Sequence, residues 1–511
     1  MRSYRRRALV WLLPGVVVLA LAHPSPAVSA PGSSSPGTMA LANQSKTGQE
    51  GSWLGGLNSQ VSLVVEGRPA GGTAWPQGWS MDTYGQDLPP VAATLDPTAP
   101  QPTAQQVSGA AAGFTPETTG PGFGCQVVDL LTGQVIYQSD AAAPRTPAST
   151  LKILTAAAAV ATLGADATLT TSAVMERQTA DLATVTLVAG GDVLLGPGES
   201  QAGEVVGRAG LGDLASQVAV ELRARGVHQV KLTLDDTLFT GPNLIADWGW
   251  WSGAAWGGPV MPLAVNAGRD GPSFDQVNYS PDAAMAAAQQ FGQLLATAGQ
   301  DQGLALPTFD LAGSPTRAAA SPEATLVGQI DSAPVGQLAG YMLAHSDNML
   351  AEALGRAVAR AQGLPVSFAG AGQGILQAIT NLGVDTTGVS LADASGLSPA
   401  SKIPPATLTE LLVKVAGPEA GELGAVSRGL AVGGLDGTLI HRLSEVPSAG
   451  NVRAKTGTLT GVTSLAGLVQ TDGGRQLIFA AMADQTQEVG YDTARSAIDQ
   501  FVHNLATLPA P

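Results

Sequence analysis

Two of the six lysines in this chain, Lys152 and Lys455, constrain its fold more than any other feature. Lys152 lies in the stretch PASTLKILTAAAAVATLG, where Pro147 stops the preceding coil, Leu and Ala favour a helix, and Gly164 supplies a C-terminal stop. Lys455 lies in a strand-like stretch, 452–458, followed by two more, 463–470 and 476–483, with a Thr471-Asp472-Gly473-Gly474 turn between the last pair. Residues 125–129 and 135–138, around Leu131-Thr132-Gly133-Gln134, predict a hairpin. Two early strands and three late ones join in one sheet, and a terminal helix begins near Tyr491. The intervening region, short strands around the helical segment LGDLASQVAVELRARG, must then be an insertion that leaves its host sheet intact.

This divides the chain into an N-terminal segment 1–30, a low-complexity linker 31–103, a first catalytic-domain part 104–170, an inserted domain 171–330 and a second catalytic-domain part 331–511. In the first segment, Arg2, Arg5, Arg6 and Arg7 precede an apolar run over 8–22, and Val28-Ser29-Ala30 is a small-residue cleavage pattern, so it reads as a secretory signal peptide. The rival reading, an uncleaved anchor, is disfavoured by a run short of the ~20 residues a spanning helix needs. The remainder is expected to be secreted or extracytoplasmic, in periplasm or cell wall, with peripheral association with membrane or wall left open. A short strand, 61–65, is possible within the linker, and a helical pattern covers 335–363.

Composition removes other functions. A net charge of −15 repels nucleic acid, and no Lys/Arg run outside the first segment offers a basic patch. Five scattered histidines and one cysteine, Cys125, leave neither a zinc spacing nor an internal disulfide, so no metal and no cofactor is implied. Cys125 is expected to pack in a strand. No G-x-S-x-G elbow or Walker A pattern occurs.

The chemistry rests on three motifs in order, Ser149-Thr150-Leu151-Lys152, Ser346-Asp347-Asn348 and Lys455-Thr456-Gly457. This set resembles that of class A β-lactamases and penicillin-binding proteins. On a helix, residues three apart share a face, so Lys152 reaches Ser149 one turn back. Burial and the second cation, Lys455, depress the Lys152 pKa and leave an amine able to take the hydroxyl proton. Ser149, at a helix start, is the expected nucleophile, with its N–H and that of Thr458 as oxyanion hole. Ser346 is expected to relay a proton to the leaving amine, Asn348 to hold the substrate amide, Lys455 and Thr456 to face a terminal carboxylate, and Gly457 to admit substrate close to the backbone. A second K-T-G, Lys46-Thr47-Gly48, stands in the linker in the wrong order and reads as chance.

Around these motifs the chain is similar to the class C low-molecular-mass penicillin-binding proteins, D-alanyl-D-alanine carboxypeptidase/endopeptidases with a large insertion after the serine helix. The matching stretches include LVAGGD, LTLDDTLFTGP, PLAVNAGRDG, HSDNMLAEALGR, LADASGLSP, GGLDGTL and NVRAKTGTLTGVTSLAGLV. The resemblance implies an α/β fold, a transpeptidase/β-lactamase-like five-stranded antiparallel sheet flanked by helices, with a mostly β inserted domain. It implies a serine-type D-Ala-D-Ala carboxypeptidase or endopeptidase acting on peptidoglycan peptides through a Ser149 acyl-enzyme. No glutamate occurs between Glu352 and Glu410, where class A β-lactamases carry the residue that activates the deacylating water, so β-lactams are expected to inhibit and to turn over slowly. A non-catalytic receptor and a transpeptidase remain as alternatives.

Several residues carry two readings. Trp248, Trp250, Trp251 and Trp256 either stack on glycan sugars or pack a loop of the insertion onto the catalytic domain. Asp347 either takes part in catalysis or caps a helix, the latter favoured. Asp393 to Gly396 is either a plain turn or a motif at the cleft. His345, adjacent to Ser346 on a helix, does not face it, and Arg453 shares a strand face with Lys455 and is a candidate carboxylate ligand.

Overall fold

The computed structural model describes residues 96–248, 256–269, 278–301, 310–311 and 313–510. The expected export signal, the strand at 61–65, the K-T-G at Lys46, and Trp250 and Trp251 lie outside them. The end of the stretch read as linker is folded: Thr103 caps helix α1 (Ala104–Ala110), and the Ala99 carbonyl accepts a hydrogen bond from Arg475.

Strands β1 (Phe123–Asp129) and β2 (Val135–Ser139) form the expected hairpin, and a 3-10 turn, Ala148–Leu151, leads into helix α2 (Lys152–Leu163). From Lys152 to Val160 every residue of α2 is buried, which suits a helix that is apolar all round and runs through the middle of a domain. The chain then passes through β3 (Thr170–Arg177), β4 (Leu182–Val188), helix α3 (Leu211–Ala224), β5 (Gln229–Asp235), helix α4 (Ala283–Asp301), β6 (Asp310–Leu311), β7 (Thr316–Arg317) and β8 (Thr325–Asp331). These strands make a second sheet, order β6-β5-β4-β3-β8, with β7 also paired to β5. The expectation of a mostly β insertion describes its sheet; α3 and α4 pack on that sheet around Phe291, Leu214 and Leu232 and add a helical layer. Strands β4 and β5 are parallel, and α3 is their crossover.

Strands β3 and β8 pair with each other, Thr170 opposite Asp331, and Leu169 exchanges hydrogen bonds with Ser332. The inserted sheet therefore leaves and rejoins its host at one place. Helices α5 (Val335–His345), α6 (Asn348–Ala361), α7 (Phe368–Asn381) and α8 (Pro405–Ala416) follow, then β9 (Ala431–Val432), β10 (Val452–Leu459), β11 (Val462–Gln470), β12 (Gln476–Ala483) and helix α9 (Tyr491–Ala506). The sequence predicts one helical run over 335–363, but it breaks at Ser346, whose backbone is left-handed (φ 57°), and Asp347 caps α6 by accepting from the Leu350 amide at 2.9 Å. Ser and Asp bond local backbone groups better at a cap than inside a helix.

The host sheet has the order β2-β1-β12-β11-β10-β9, antiparallel throughout, the five expected strands plus the two-residue β9 at one edge. Alternation sorts β12 onto two cores. Leu477, Phe479 and Ala481 face α1 and α9 with Phe501 and Cys125, while Ile478, Ala480 and Met482 face the layer that contains α2. Among the described residues no helix is long and apolar enough to cross a membrane.

The hairpin is fastened to the late strands by charge. Asp129, fully buried, takes two bonds from the Arg475 guanidinium, 2.5 and 2.8 Å, and a third from the Thr132 amide that shapes the β1–β2 turn. Removing the cation leaves a buried carboxylate unpaired. Arg475→Met is therefore expected to lower stability by about 3 kcal/mol in denaturant unfolding, and Asp129→Asn by less because it keeps an acceptor for Thr132.

Candidate active site

The 3-10 turn before α2 holds Ser149 half-buried, directly after Ala148, whose backbone is left-handed (φ 47°). A non-glycine residue in that region is strained, and it persists only where surroundings enforce it. Here the sheet enforces it. Ser464 of β11 donates to the Pro147 carbonyl at 2.7 Å, and a Cβ on Gly457 of β10 would lie 2.6 Å from that carbonyl and 2.1 Å from Ser464 Oγ. Gly457 thus admits the protein's own serine turn against the strand.

A second glycine approaches from the other side. Gly396 (φ 79°) closes the Asp393–Gly396 turn, and a Cβ there would sit 1.9 Å from the Ala148 carbonyl. The Ser395 carbonyl of that turn accepts from Lys152 Nζ at 2.7 Å, so this segment is both a turn and a wall of the site.

Lys152 is fully buried, and its Nζ has three neighbours: Ser149 Oγ at 3.0 Å, Asn348 Oδ1 at 2.5 Å and the Ser395 carbonyl at 2.7 Å. Two of the three are acceptors only. An ammonium donates to all three oxygens; as a neutral amine the nitrogen donates to Asn348 and Ser395 and turns its lone pair to the Ser149 hydroxyl. Burial pushes the Lys152 amine down to about 8, against the opposing pull of Asp393, Asp347 and Glu352. The geometry admits either protonation state, and the lowered pKa makes the neutral amine accessible near pH 8.

Asn348 is the first residue of α6, and its Nδ2 donates to the Trp256 carbonyl at 2.8 Å, which fixes the Oδ1 toward Lys152. Ser346 stands at the turn just before it, half-exposed. Lys152's amine has its three positions filled without Ser346 or Thr456. Lys455, on β10, is fully buried; its Nζ donates to the Thr456 carbonyl at 2.9 Å, and burial, with Lys152 and Arg442 adding repulsion, holds its amine well below the usual lysine range. The Thr456 hydroxyl donates to Thr438 at 3.1 Å, and Thr458, exposed at the open end of β10, shares a hydrogen bond with the Tyr491 hydroxyl at 3.0 Å. Arg453 donates to the Arg428 carbonyl at 2.7 Å, so the guanidinium first considered for a carboxylate anchors β10 to the chain before β9.

The insertion contributes to the same surface. Trp248 is buried edge-on against Phe368, and its Nε1 donates to Asp393 at 3.0 Å, the packing role rather than sugar stacking. Arg269 pairs with Asp347 at 2.7 Å while Asp347 caps α6, and the Arg269 guanidinium holds that carboxyl below the ordinary range. The capping reading of Asp347 is the one the structure displays.

Sequence reasoning passed over Glu352, and it held Asp393 only within the turn or cleft motif of 393–396. Glu352, fully buried on α6, accepts from the Ala394 and Ser395 amides at 3.0 and 2.9 Å and pairs with Arg356 at 3.0 Å. Asp393 accepts from the Gly396 and Ser398 amides at 2.9 and 2.7 Å. The available signal was the spacing of Glu352 and Arg356, four apart on a helix that is otherwise apolar where they sit.

The chain matches the model of the D-Ala-D-Ala carboxypeptidase 3 (S13) family over residues 104–300 and 277–505. It is similar to the carboxypeptidase DacB of Mycolicibacterium smegmatis, 33% identical over 428 residues, covering 80% of this chain and 87% of that one. It is also similar to a D-alanyl-D-alanine carboxypeptidase of Actinomadura sp., 27% identical over 428 residues, covering 69% and 76% of the two chains. In structure it is similar to penicillin binding protein 4 (dacB) of Haemophilus influenzae, with TM-score 0.62 and 20% identity over 78% of this chain and 98% of that one.

Because Gly396 has no room for a side chain against the Ala148 carbonyl, Gly396→Ala is expected to displace the serine turn. The variant should cost about 2 kcal/mol of stability, read by thermal unfolding, and should slow labelling of Ser149 by a serine-directed acylating reagent while the host sheet remains folded by circular dichroism.

Proposed function

Because this chain belongs to the S13 family of D-Ala-D-Ala carboxypeptidases, we propose that it cleaves the terminal D-Ala from peptidoglycan peptides with Ser149 as the acylated residue. It is a serine-type D-Ala-D-Ala carboxypeptidase of the low-molecular-mass, class C penicillin-binding kind. The observation that carries the assignment of residues is the buried Lys152 nitrogen, within hydrogen-bond distance of Ser149 at 3.0 Å and held there by Asn348 and the Ser395 carbonyl.

In this reading the Ser149 Oγ attacks the carbonyl carbon of the penultimate D-Ala as its proton passes to Lys152. The oxyanion is met by the Ser149 and Thr458 amides. Collapse breaks the C–N bond; the leaving nitrogen takes a proton through Ser346, and D-Ala departs. Water then attacks the ester, restoring the Ser149 hydroxyl and releasing the shortened peptide as a carboxylic acid. The substrate's terminal carboxylate is met by Lys455 and Thr456, and its arrival favours the charged form of Lys455 that burial otherwise disfavours. Asn348 holds the substrate amide with the part of its side chain turned to Lys152.

β-Lactams present the same amide chemistry in a ring, and a penicillin binding protein 4 of Haemophilus influenzae with this fold is known in complex with one. The three buried carboxylates that act on Lys152, Asp393, Asp347 and Glu352, have their oxygens committed to backbone amides and to Arg269 and Arg356. None is free to activate water, so the β-lactam ester is long-lived. The peptide substrate places the activity outside the cytoplasmic membrane, with residues 1–30 as the export signal.

Mass spectrometry after incubation with penicillin is expected to place one adduct on Ser149, and Ser149→Ala to lose both the adduct and D-Ala release. An adduct elsewhere, or equal D-Ala release by the variant, overturns the assignment. Below about 8 Lys152 is an ammonium with no lone pair to accept a proton, and above it the amine is neutral. The rate of penicillin acylation is thus expected to rise with pH and level off past a midpoint near 8 in stopped-flow measurements.

A further inference from the structure

The acylation chemistry above leaves one fully buried ion pair without a role. Glu352 and Arg356 lie one turn apart on α6, 0% and 1% exposed. Two ions removed from water contribute little net stability unless their remaining hydrogen-bonding groups are satisfied, so what each carboxylate oxygen binds is informative. One Glu352 oxygen is spent on Arg356. The other accepts two successive backbone amides, Ala394 at 3.0 Å and Ser395 at 2.9 Å.

Those amides belong to the peptide units on either side of Ala394. The carbonyl of the next residue, Ser395, is the one that accepts from Lys152 Nζ, and Gly396 beyond it presses on the Ala148 carbonyl. A carboxylate oxygen drawing both amides toward α6 sets the run of the turn into the next peptide unit, whose Gly396 amide donates to Asp393 at 2.9 Å and whose Ser395 carbonyl points at Lys152. The Arg356 guanidinium, stacked on Phe368 at 4.1 Å and Phe239 at 5.2 Å, holds the carboxylate from behind. Resting on the reading of Ser149 and Lys152 above, we propose that Glu352 is a positioning residue for acylation: by gripping the Ala394 and Ser395 amides it holds the Ser395 carbonyl on Lys152 Nζ and so keeps that amine's lone pair on Ser149 Oγ.

Two effects follow and separate experimentally. The geometric effect needs an acceptor oxygen at position 352, whatever its charge. The electrostatic effect needs the negative charge: Lys152 is faced by Asp393 from the turn, by Asp347 and Glu352 from α6 and by Lys455 from β10, and the carboxylates favour its ammonium. Losing one carboxylate therefore lowers the pH at which Lys152 becomes neutral.

The test uses paired variants, because Glu352→Gln alone leaves Arg356 buried without its counter-ion. E352Q/R356M keeps an acceptor oxygen, and E352L/R356M does not. Penicillin acylation of the full chain is measured against pH, with thermal unfolding to confirm folding. E352Q/R356M is expected to retain the high-pH rate within about threefold and to shift the midpoint to lower pH, whereas E352L/R356M loses about 10²-fold at the high-pH plateau. A folded E352L/R356M at the wild-type plateau overturns the proposal, as does an equal loss of plateau in both variants, which would make the oxygen irrelevant. Failure of wild type itself to acquire an adduct on Ser149 would instead sink the assignment on which this one rests.

Discussion

Everything in the candidate site depends on keeping one amine out of water. A lysine nitrogen buried in the interior is unfavourable as an ammonium and unfavourable as an amine without partners, so it must be given oxygens from several directions. Lys152 receives them from its own turn through Ser149, from α6 through Asn348, and from the 393–396 turn through Ser395. Each donor of an oxygen is then held by something else: Asn348 by the Trp256 carbonyl, the turn by Glu352, Asp393 and Trp248, and the serine turn by Ser464. Much of the architecture around α2 is the set of supports for those three contacts.

Seen this way the insertion is more than an appendage. It has a core of its own around α3, α4 and the second sheet, while Val193, Leu194, Trp248 and Val260 join the host core, and Trp248, the Trp256 carbonyl and Arg269 reach the two loops that border Lys152. A module that enters and leaves through paired strands is free to carry its own fold while lending a few side chains to its host.

Much of this was legible in the sequence, for reasons that differ by element. The serine helix, the hairpin and β10 to β12 declare themselves through periodicity, and the three motifs through their order. The break at Ser346 was not legible, because the apolar pattern continues through it and only the capping preference of Ser-Asp interrupts it. Helix α4 was hidden by its composition, an Ala- and Gln-rich run between stretches of weaker pattern. Glu352 was read only as the edge of a glutamate-free stretch, since its partners, the Ala394 and Ser395 amides, are backbone groups more than forty residues away that leave no mark in side-chain chemistry. The close approach of Pro147 to Gly457 was hidden for a related reason: its two sides are separated by the whole insertion.

The host sheet has a consequence in time. Its strand β1 is paired on one side with β2, its neighbour in sequence, and on the other with β12, and the Asp129–Arg475 bond across that seam joins residues 346 positions apart. Closing so distant a contact is slow, and it waits until the last strands of the chain exist. During synthesis, Ser149 and Lys152 therefore emerge long before β10 and β11, whose Gly457 and Ser464 press against their turn, and until those strands follow the turn lacks the contacts that hold it in its strained shape.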